Sequence, residues 1–174
     1  MDLKLLNEPL PKDVCIELGV RIVKEGSDIE DLMQIFFKEK NMTAQRAAWA
    51  IEVVVEQKPQ LVSPYMHEMI DALEGDTTQA FRRNALKFLR KVELGDDDLG
   101  KLTNICFGIV QNAKEAIAIK MYSIYFLQKV TFMFPDFGQE MFYILQNNYD
   151  QESKAYKAVA RKVIKDFRKR GLIE

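Results

Sequence analysis

Apolar residues recur along this chain at positions i, i+3, i+4 and i+7, the spacing that gathers them on one face of an α-helix. Within that spacing five segments share a shorter pattern: a small residue, any residue, a polar one, then two apolar ones. They read Gly19-Val20-Arg21-Ile22-Val23, Ala50-Ile51-Glu52-Val53-Val54, Ala85-Leu86-Lys87-Phe88-Leu89, Ser123-Ile124-Tyr125-Phe126-Leu127 and Ala160-Arg161-Lys162-Val163-Ile164. Their small residues lie 31, 35, 38 and 37 positions apart. A recurrence of this period is the mark of a repeat architecture. The small residue heading each copy lets a neighbouring helix approach closely.

A second helical pattern lies between the copies. Segment 28–40 offers Ile29, Leu32, Met33, Phe36 and Phe37; segment 60–74 offers Leu61, Tyr65, Met66, Met69, Ile70 and Leu73. Segment 97–112 offers Leu99, Leu102, Cys106, Phe107 and Val110, and segment 136–150 offers Phe137, Met141, Phe142 and Leu145. Helix-start residues precede them: Ser27-Asp28, Pro59, Asp96-Asp97-Asp98 and Pro135-Asp136. Connections of a few residues join the two patterns, as in antiparallel helix hairpins. The fold expected is all-α: four antiparallel helix pairs and a C-terminal capping helix, stacked as a right-handed α-solenoid in which neighbours supply each other's core. No composition shift divides residues 1–174, so a single repeat domain is expected.

Thr43-Ala44-Gln45-Arg46-Ala47-Ala48-Trp49-Ala50-Ile51, followed by Pro59-Gln60-Leu61-Val62-Ser63-Pro64-Tyr65, resembles a HEAT repeat, where an Arg and small residues open the first helix and a Pro or Asp introduces the second. The chain is similar to short bacterial HEAT-like proteins. The resemblance implies an α-solenoid with a binding role and no chemistry of its own. It also implies that first helices line the convex side and second helices the concave side. Some HEAT-like folds are DNA glycosylases that act on alkylated bases, and Trp49 and Asp71 are loose analogues of their aromatic and carboxylate residues, out of register with the motif. The Ser-rich loop and catalytic His of adenylosuccinate lyases, a name that short HEAT-like chains sometimes attract, are missing.

Composition sharpens this reading. The 174 residues are 48% hydrophobic and 29% charged, as in an ordered globular chain. Eight Gly and five Pro leave room for few tight turns. Residues 1–14 lack the basic and apolar regions of a secretory signal. The longest apolar runs, about five residues, fall far short of the roughly 18 of a membrane span. Cys15 and Cys106 each sit in an amphipathic run and read as two reduced core thiols. A cytoplasmic, membrane-free protein is expected.

The single histidine, His67, removes multi-histidine metal sites and most hydrolytic triads. His67-Glu68-Met69-Ile70-Asp71 puts His67 and Asp71 on one helix face but lacks the second His of a zinc-protease helix, so it reads as a solvated face. Asp96-Asp97-Asp98 lacks the ligand spacing of a calcium loop and reads as a helix start. Trp49, inside Ala47-Ala48-Trp49-Ala50, reads as a core residue. No enzymatic activity, cofactor or metal is expected.

Charge separates the two helix families. The first helices (11–25, 43–58, 79–94, 115–130, 154–170) hold 20 Lys/Arg and 8 Asp/Glu, a net of +12; the second hold 3 and 12, a net of −9. Two places concentrate the excess: Arg82, Arg83, Lys87, Arg90 and Lys91, then 154–170 with eight basic residues against one Asp. Each family either wears a solvated face or carries a working surface. On the second reading, Gln34, His67, Asn104 and Tyr143 form one polar column opposite the buried stripes, suited to an extended peptide. Asp31, Asp71 and Glu140 flank it and favour a basic partner. The function expected is a protein-interaction module binding a partner protein or peptide on the concave face. The alternative is a nucleic-acid-binding or DNA alkylation repair-like protein that uses the basic helices.

The polar column of the first helices reads Arg21, Glu52, Lys87, Tyr125 and Lys162, so an aromatic replaces a charge at Tyr125. Tyr122, Phe126, Phe132 and Phe134 surround it. These residues either fill a wider core between the last repeats or form a patch for self-association or partner binding.

Overall fold

A computed structural model describes residues 3–147 and 149–174, so position 148 of the expected 136–150 segment and positions 1 and 2 of the N-terminal stretch lie outside the described residues. Nine α-helices occur among the described residues: α1 (Lys12–Glu25), α2 (Ile29–Lys38), α3 (Met42–Gln57), α4 (Met66–Glu74), α5 (Gln79–Leu89), α6 (Asp96–Gln111), α7 (Ile117–Met133), α8 (Phe137–Asn147) and α9 (Lys154–Lys169). No described residue lies in a strand. Odd-numbered helices carry the five-residue pattern and even-numbered helices the second pattern, as the periodicity predicts.

The chain divides into two compact units, one ending at Asp98 and one beginning at Leu99. In the first, α1 packs along α3 and α3 along α5, while α2 packs on α3 and α4 on α5. In the second, α7 packs along α9, and α8 touches both. First helix against next first helix is the packing of an α-solenoid.

The small residues explain how the first helices come so close. Gly19, Ala50, Ala85, Ser123 and Ala160 are all buried. A Cβ on Gly19 would lie 2.5 Å from the Ala50 carbonyl oxygen and 2.8 Å from Val53 Cβ, so α1 and α3 meet where only a glycine fits. The apolar stripes fill the remaining space: Leu18 and Ile22 of α1, Leu32, Met33 and Phe36 of α2, and Ile51 and Val54 of α3 are at most 2% exposed. Phe36 stacks on Phe81 with ring centroids 4.7 Å apart.

Helix ends follow local chemistry. Asn41 accepts from the Thr43 amide, Thr78 from the Phe81 amide and Ser153 from the Tyr156 amide, each satisfying an otherwise orphaned donor. Asp28 precedes α2 as expected but makes no cap; its carboxylate accepts from Arg21 at 3.0 Å. The continuous 60–74 helix is not formed. Pro59 and Pro64 instead open two 3₁₀ turns, Pro59–Leu61 and Ser63–Tyr65, and α4 starts at Met66. Pro64 inside an α-helix would remove one hydrogen bond and clash with the carbonyl one turn back. No described helix is long and apolar enough to cross a membrane.

Candidate functional site

The second helices divide cleanly into two faces. In α2, Leu32, Met33 and Phe36 are buried while Asp31 and Gln34 are exposed. In α4, Met66, Met69, Ile70 and Leu73 are buried while His67 and Asp71 are exposed. Asn104 stands opposite Leu102, Thr103 and Cys106 on α6, and Glu140 and Tyr143 opposite Met141, Ile144 and Leu145 on α8. Each of these seven predicted site residues therefore faces solvent within its own unit.

In the first unit, Asp31 and Gln34 line a cleft of about 370 Å³ with Lys4, Asn7, Lys38 and Thr43. Gln34 Oε1 accepts from Lys38 Nζ at 3.3 Å. His67 sits between two carboxylates. Its Nδ1 lies 2.7 Å from Asp98 in the first turn of α6, and its Nε2 lies 3.7 Å from Asp71 one turn along α4. The His67 side chain keeps 71% of its exposure, so this is a surface device that ties α4 to the start of α6. Among the described residues no group of three or more His, Cys, Asp or Glu is placed to hold a metal ion.

In the second unit, Tyr143 is 56% exposed and borders a cleft of about 600 Å³ with Gln139, Phe142 and the 171–174 segment. A Cβ on Gly138 would lie 2.7 Å from the Leu172 carbonyl oxygen, so that segment lies against α8. Tyr125 is half-buried on α7, with Lys162 Nζ of α9 6.0 Å from its ring centroid. Its aromatic neighbours do not form one surface. Phe126 is core, Phe132 carries the Arg170 guanidinium 3.9 Å above its ring, and Phe134 is exposed edge-on to Phe137.

The first-helix polar column links neighbouring repeats through its side chains. Lys87 pairs with Glu52, and Lys162 faces Tyr125, each partner one repeat away. Parallel rungs flank these: Lys91 with Glu56 at 2.5 Å, Arg83 with Gln45 at 2.8 Å, and Gln128 with Asp166 at 3.0 Å. The Lys91 contact holds the Glu56 carboxyl below its ordinary range. The two basic clusters thus differ in kind. On and just after α5, Arg83, Lys87 and Lys91 engage polar groups of α3, whereas most of the α9 charge has no such partner helix.

Four further features add to or refine what the sequence predicts. Lys120 is 1% exposed, ion-pairs with Glu152 and lies 5.8 Å from the Tyr156 ring centroid. The signal was its position: Lys120 falls on the apolar stripe of α7 with Ser123, Ile124 and Leu127. Tyr156 is buried with its hydroxyl unpartnered, and burial pushes its pKa up to about 12. Cys15 and Cys106 are free and buried, as expected of core thiols. Burial raises both, Cys106 to about 12 with the Ser123 hydroxyl opposing the shift. Trp49 is half-buried on α3, less enclosed than its Ala47-Ala48-Trp49-Ala50 setting suggests, while the small neighbours Ala47, Ala48 and Ala50 are buried and Ala50 meets Gly19 of α1.

A family model described as a HEAT repeat domain matches residues 3–167. No curated protein and no solved structure matches the chain.

Proposed function

The chain belongs to the HEAT repeat family, whose members are generally protein-interaction modules, and from that premise we propose that it binds an extended, basic segment of a partner protein on the exposed face of its second helices, the concave side in this family. One observation carries the reading: every second helix turns a polar, hydrogen-bonding residue to solvent opposite its buried stripe, Gln34, His67, Asn104 and Tyr143 in turn. Such side chains can read main-chain groups of an extended peptide. Asp31 and Asp71 on the first unit and Glu140 on the second supply negative charge beside them, which favours Lys or Arg in the partner and speeds its encounter. Tyr143 adds a large aromatic area at low entropic cost, the usual make-up of a binding hot spot. Tyr125 lies on the other helix family, partly covered by Lys162, and would be a separate and smaller contact.

Affinity capture with the full chain tests this, comparing wild type with the triple variant Asp31→Lys, Asp71→Lys and Glu140→Lys, each extract split with and without nuclease. The expected result is a protein captured by wild type, indifferent to nuclease and lost by the variant while its helical signal persists. Capture abolished by nuclease, or unchanged by charge reversal, would overturn the proposal.

A further inference from the structure

Lysine and arginine on a protein surface usually find a carboxylate or face open water. Three exposed cations of α9 lack a side-chain carboxylate beside them and share one cleft. Arg161, Lys165 and Arg168 follow one another at i, i+4 and i+7 and line a cleft of about 290 Å³ closed by Gln146 of α8, by Tyr149 and by Ile164. Among the described residues no side-chain carboxylate pairs with any of the three; the one acid of α9, Asp166, is engaged by Gln128. The contrast with Arg83, Lys87 and Lys91, on and just after α5, which are met by Gln45, Glu52 and Glu56 of α3, shows that this fold neutralises clustered cations elsewhere.

We propose that this cleft is a binding site for the phosphoryl group of a small phosphorylated molecule. Two guanidinium groups and an ammonium group put three positive charges around one space. A phosphomonoester answers them with a charge of about −1.5 to −2 and three strong acceptor oxygens. A carboxylate brings one charge and saturates a single Arg fork. The two arginines are held in advance: Arg161 Nε donates to the Lys157 carbonyl at 3.2 Å, and Arg168 Nε donates to the Glu174 main-chain oxygen at 3.2 Å. Each anchor occupies one Nε–H and leaves the paired Nη groups for a ligand, which reduces the ordering cost of binding. The Arg168 guanidinium also rests 5.9 Å from the Phe142 ring centroid.

Size and distribution favour a small ligand over a phosphodiester chain. The cleft is at the lower end of the range for ligand pockets, about 300–1,000 Å³. Of the other cations on and at the end of α9, Lys157, Lys162 and Arg170 lie against the rings of Tyr149, Tyr125 and Phe132. Three of the five cations left over gather in one concavity, with Lys154 and Lys169 outside it, instead of running as a track.

Titrating the isotope-labelled full chain with inorganic phosphate and glycerol phosphate, at ionic strength fixed with sodium chloride, tests the site by amide shifts. Saturable shifts are expected at Gln146, Tyr149 and residues 161–168, with acetate far weaker. Arg161→Gln and Lys165→Gln should each weaken binding about tenfold, the loss of one charge-assisted hydrogen bond. Lys114→Gln, an exposed charge of the same unit, should leave it unchanged; melting curves establish that all three variants fold. Equal, non-saturating shifts with acetate and phosphate would overturn the proposal, as would wild-type affinity in the Arg161 and Lys165 variants. So would an oligonucleotide that binds more tightly than glycerol phosphate, with steep salt dependence and losses shared by Lys154→Gln and Lys169→Gln, since the surface would then read a polyanion.

Discussion

Glycine 19 and glycine 108 both lie within helices, α1 and α6, yet the same substitution should move stability in opposite directions. Replacing a helical Gly by Ala gains about 0.8–1.0 kcal/mol from reduced backbone entropy in the unfolded chain. At Gly108 nothing lies within 4 Å of the added Cβ, so Gly108→Ala should keep most of that gain. At Gly19 the added Cβ would lie 2.5 Å from a carbonyl oxygen and 2.8 Å from Val53 Cβ. A backbone carbonyl cannot rotate aside like a side chain, so α1 and α3 must move apart along their shared contact. Overpacking of this kind costs about 1–3 kcal/mol. Subtracting the helical gain leaves Gly19→Ala destabilised by up to about 2 kcal/mol, a fall in Tm of as much as roughly 4–8 °C for a chain of this length. Urea and thermal unfolding, followed by circular dichroism, measure both variants, with the slope against urea checked because the two residues belong to different units. Stability at or above wild type for Gly19→Ala would refute the close approach of α1 and α3, and with it the role assigned to the small residue in each repeat.

Alkaline pH should unfold the chain early. Tyr156 and Cys106 are neutral when buried and their folded pKa values stand above the ordinary 10 and 9, so their contribution is complete below about pH 9 and is lost as pH rises toward 12. Stability that stays flat from pH 9 to 11.5 in a urea series would contradict this, as would rapid labelling of Cys106 by a thiol reagent in the folded protein at neutral pH. Lys120→Ala should cost about 3 kcal/mol, the low end for breaking a buried pair, because Glu152 keeps some contact with water. Glu152→Gln on that background should restore part of it, and a double-mutant cycle without coupling would show that the pair is incidental. Tyr143→Ala should leave stability within about 0.5 kcal/mol, as for other exposed positions, while weakening partner capture; a large drop in Tm would place Tyr143 in the packing and not on the working face.

The helices were legible because two signals coincide: apolar spacing fixes which face is buried, and the recurring small residue fixes where the next helix sits. Ala50, Ala85 and Ala160 are fully buried for this reason. The exposed residues of the second helices were legible by the same rule, since a residue opposite the stripe has nowhere else to point. What failed depended on partners one repeat away or on backbone chemistry. Pro64 ends the helical pattern locally although the residues around it continue the apolar spacing. Lys120 looks like a solvated lysine until Glu152 comes into place from the connection between α8 and α9. Tyr125 looks like an exposed aromatic until Lys162 lies against it. The α9 cleft was visible only as an excess of charge, because the lack of acidic neighbours is a property of three dimensions.

The side-chain rungs between first helices bear on how such a chain can change its length. Along the first unit the rung residues run Arg21, Glu52, Lys87, positive, negative, positive, and Glu52 meets Lys87 in the next copy. Excising the middle pair, α3 and α4, would splice two copies of nearly the same helix pattern together, a change the apolar stripes would tolerate. It would also set Arg21 beside Lys87 and leave Lys91 without Glu56. Loss of that middle copy would therefore put like charges on neighbouring rungs, so the surface charges of the first unit oppose a recombination that its packing would accept.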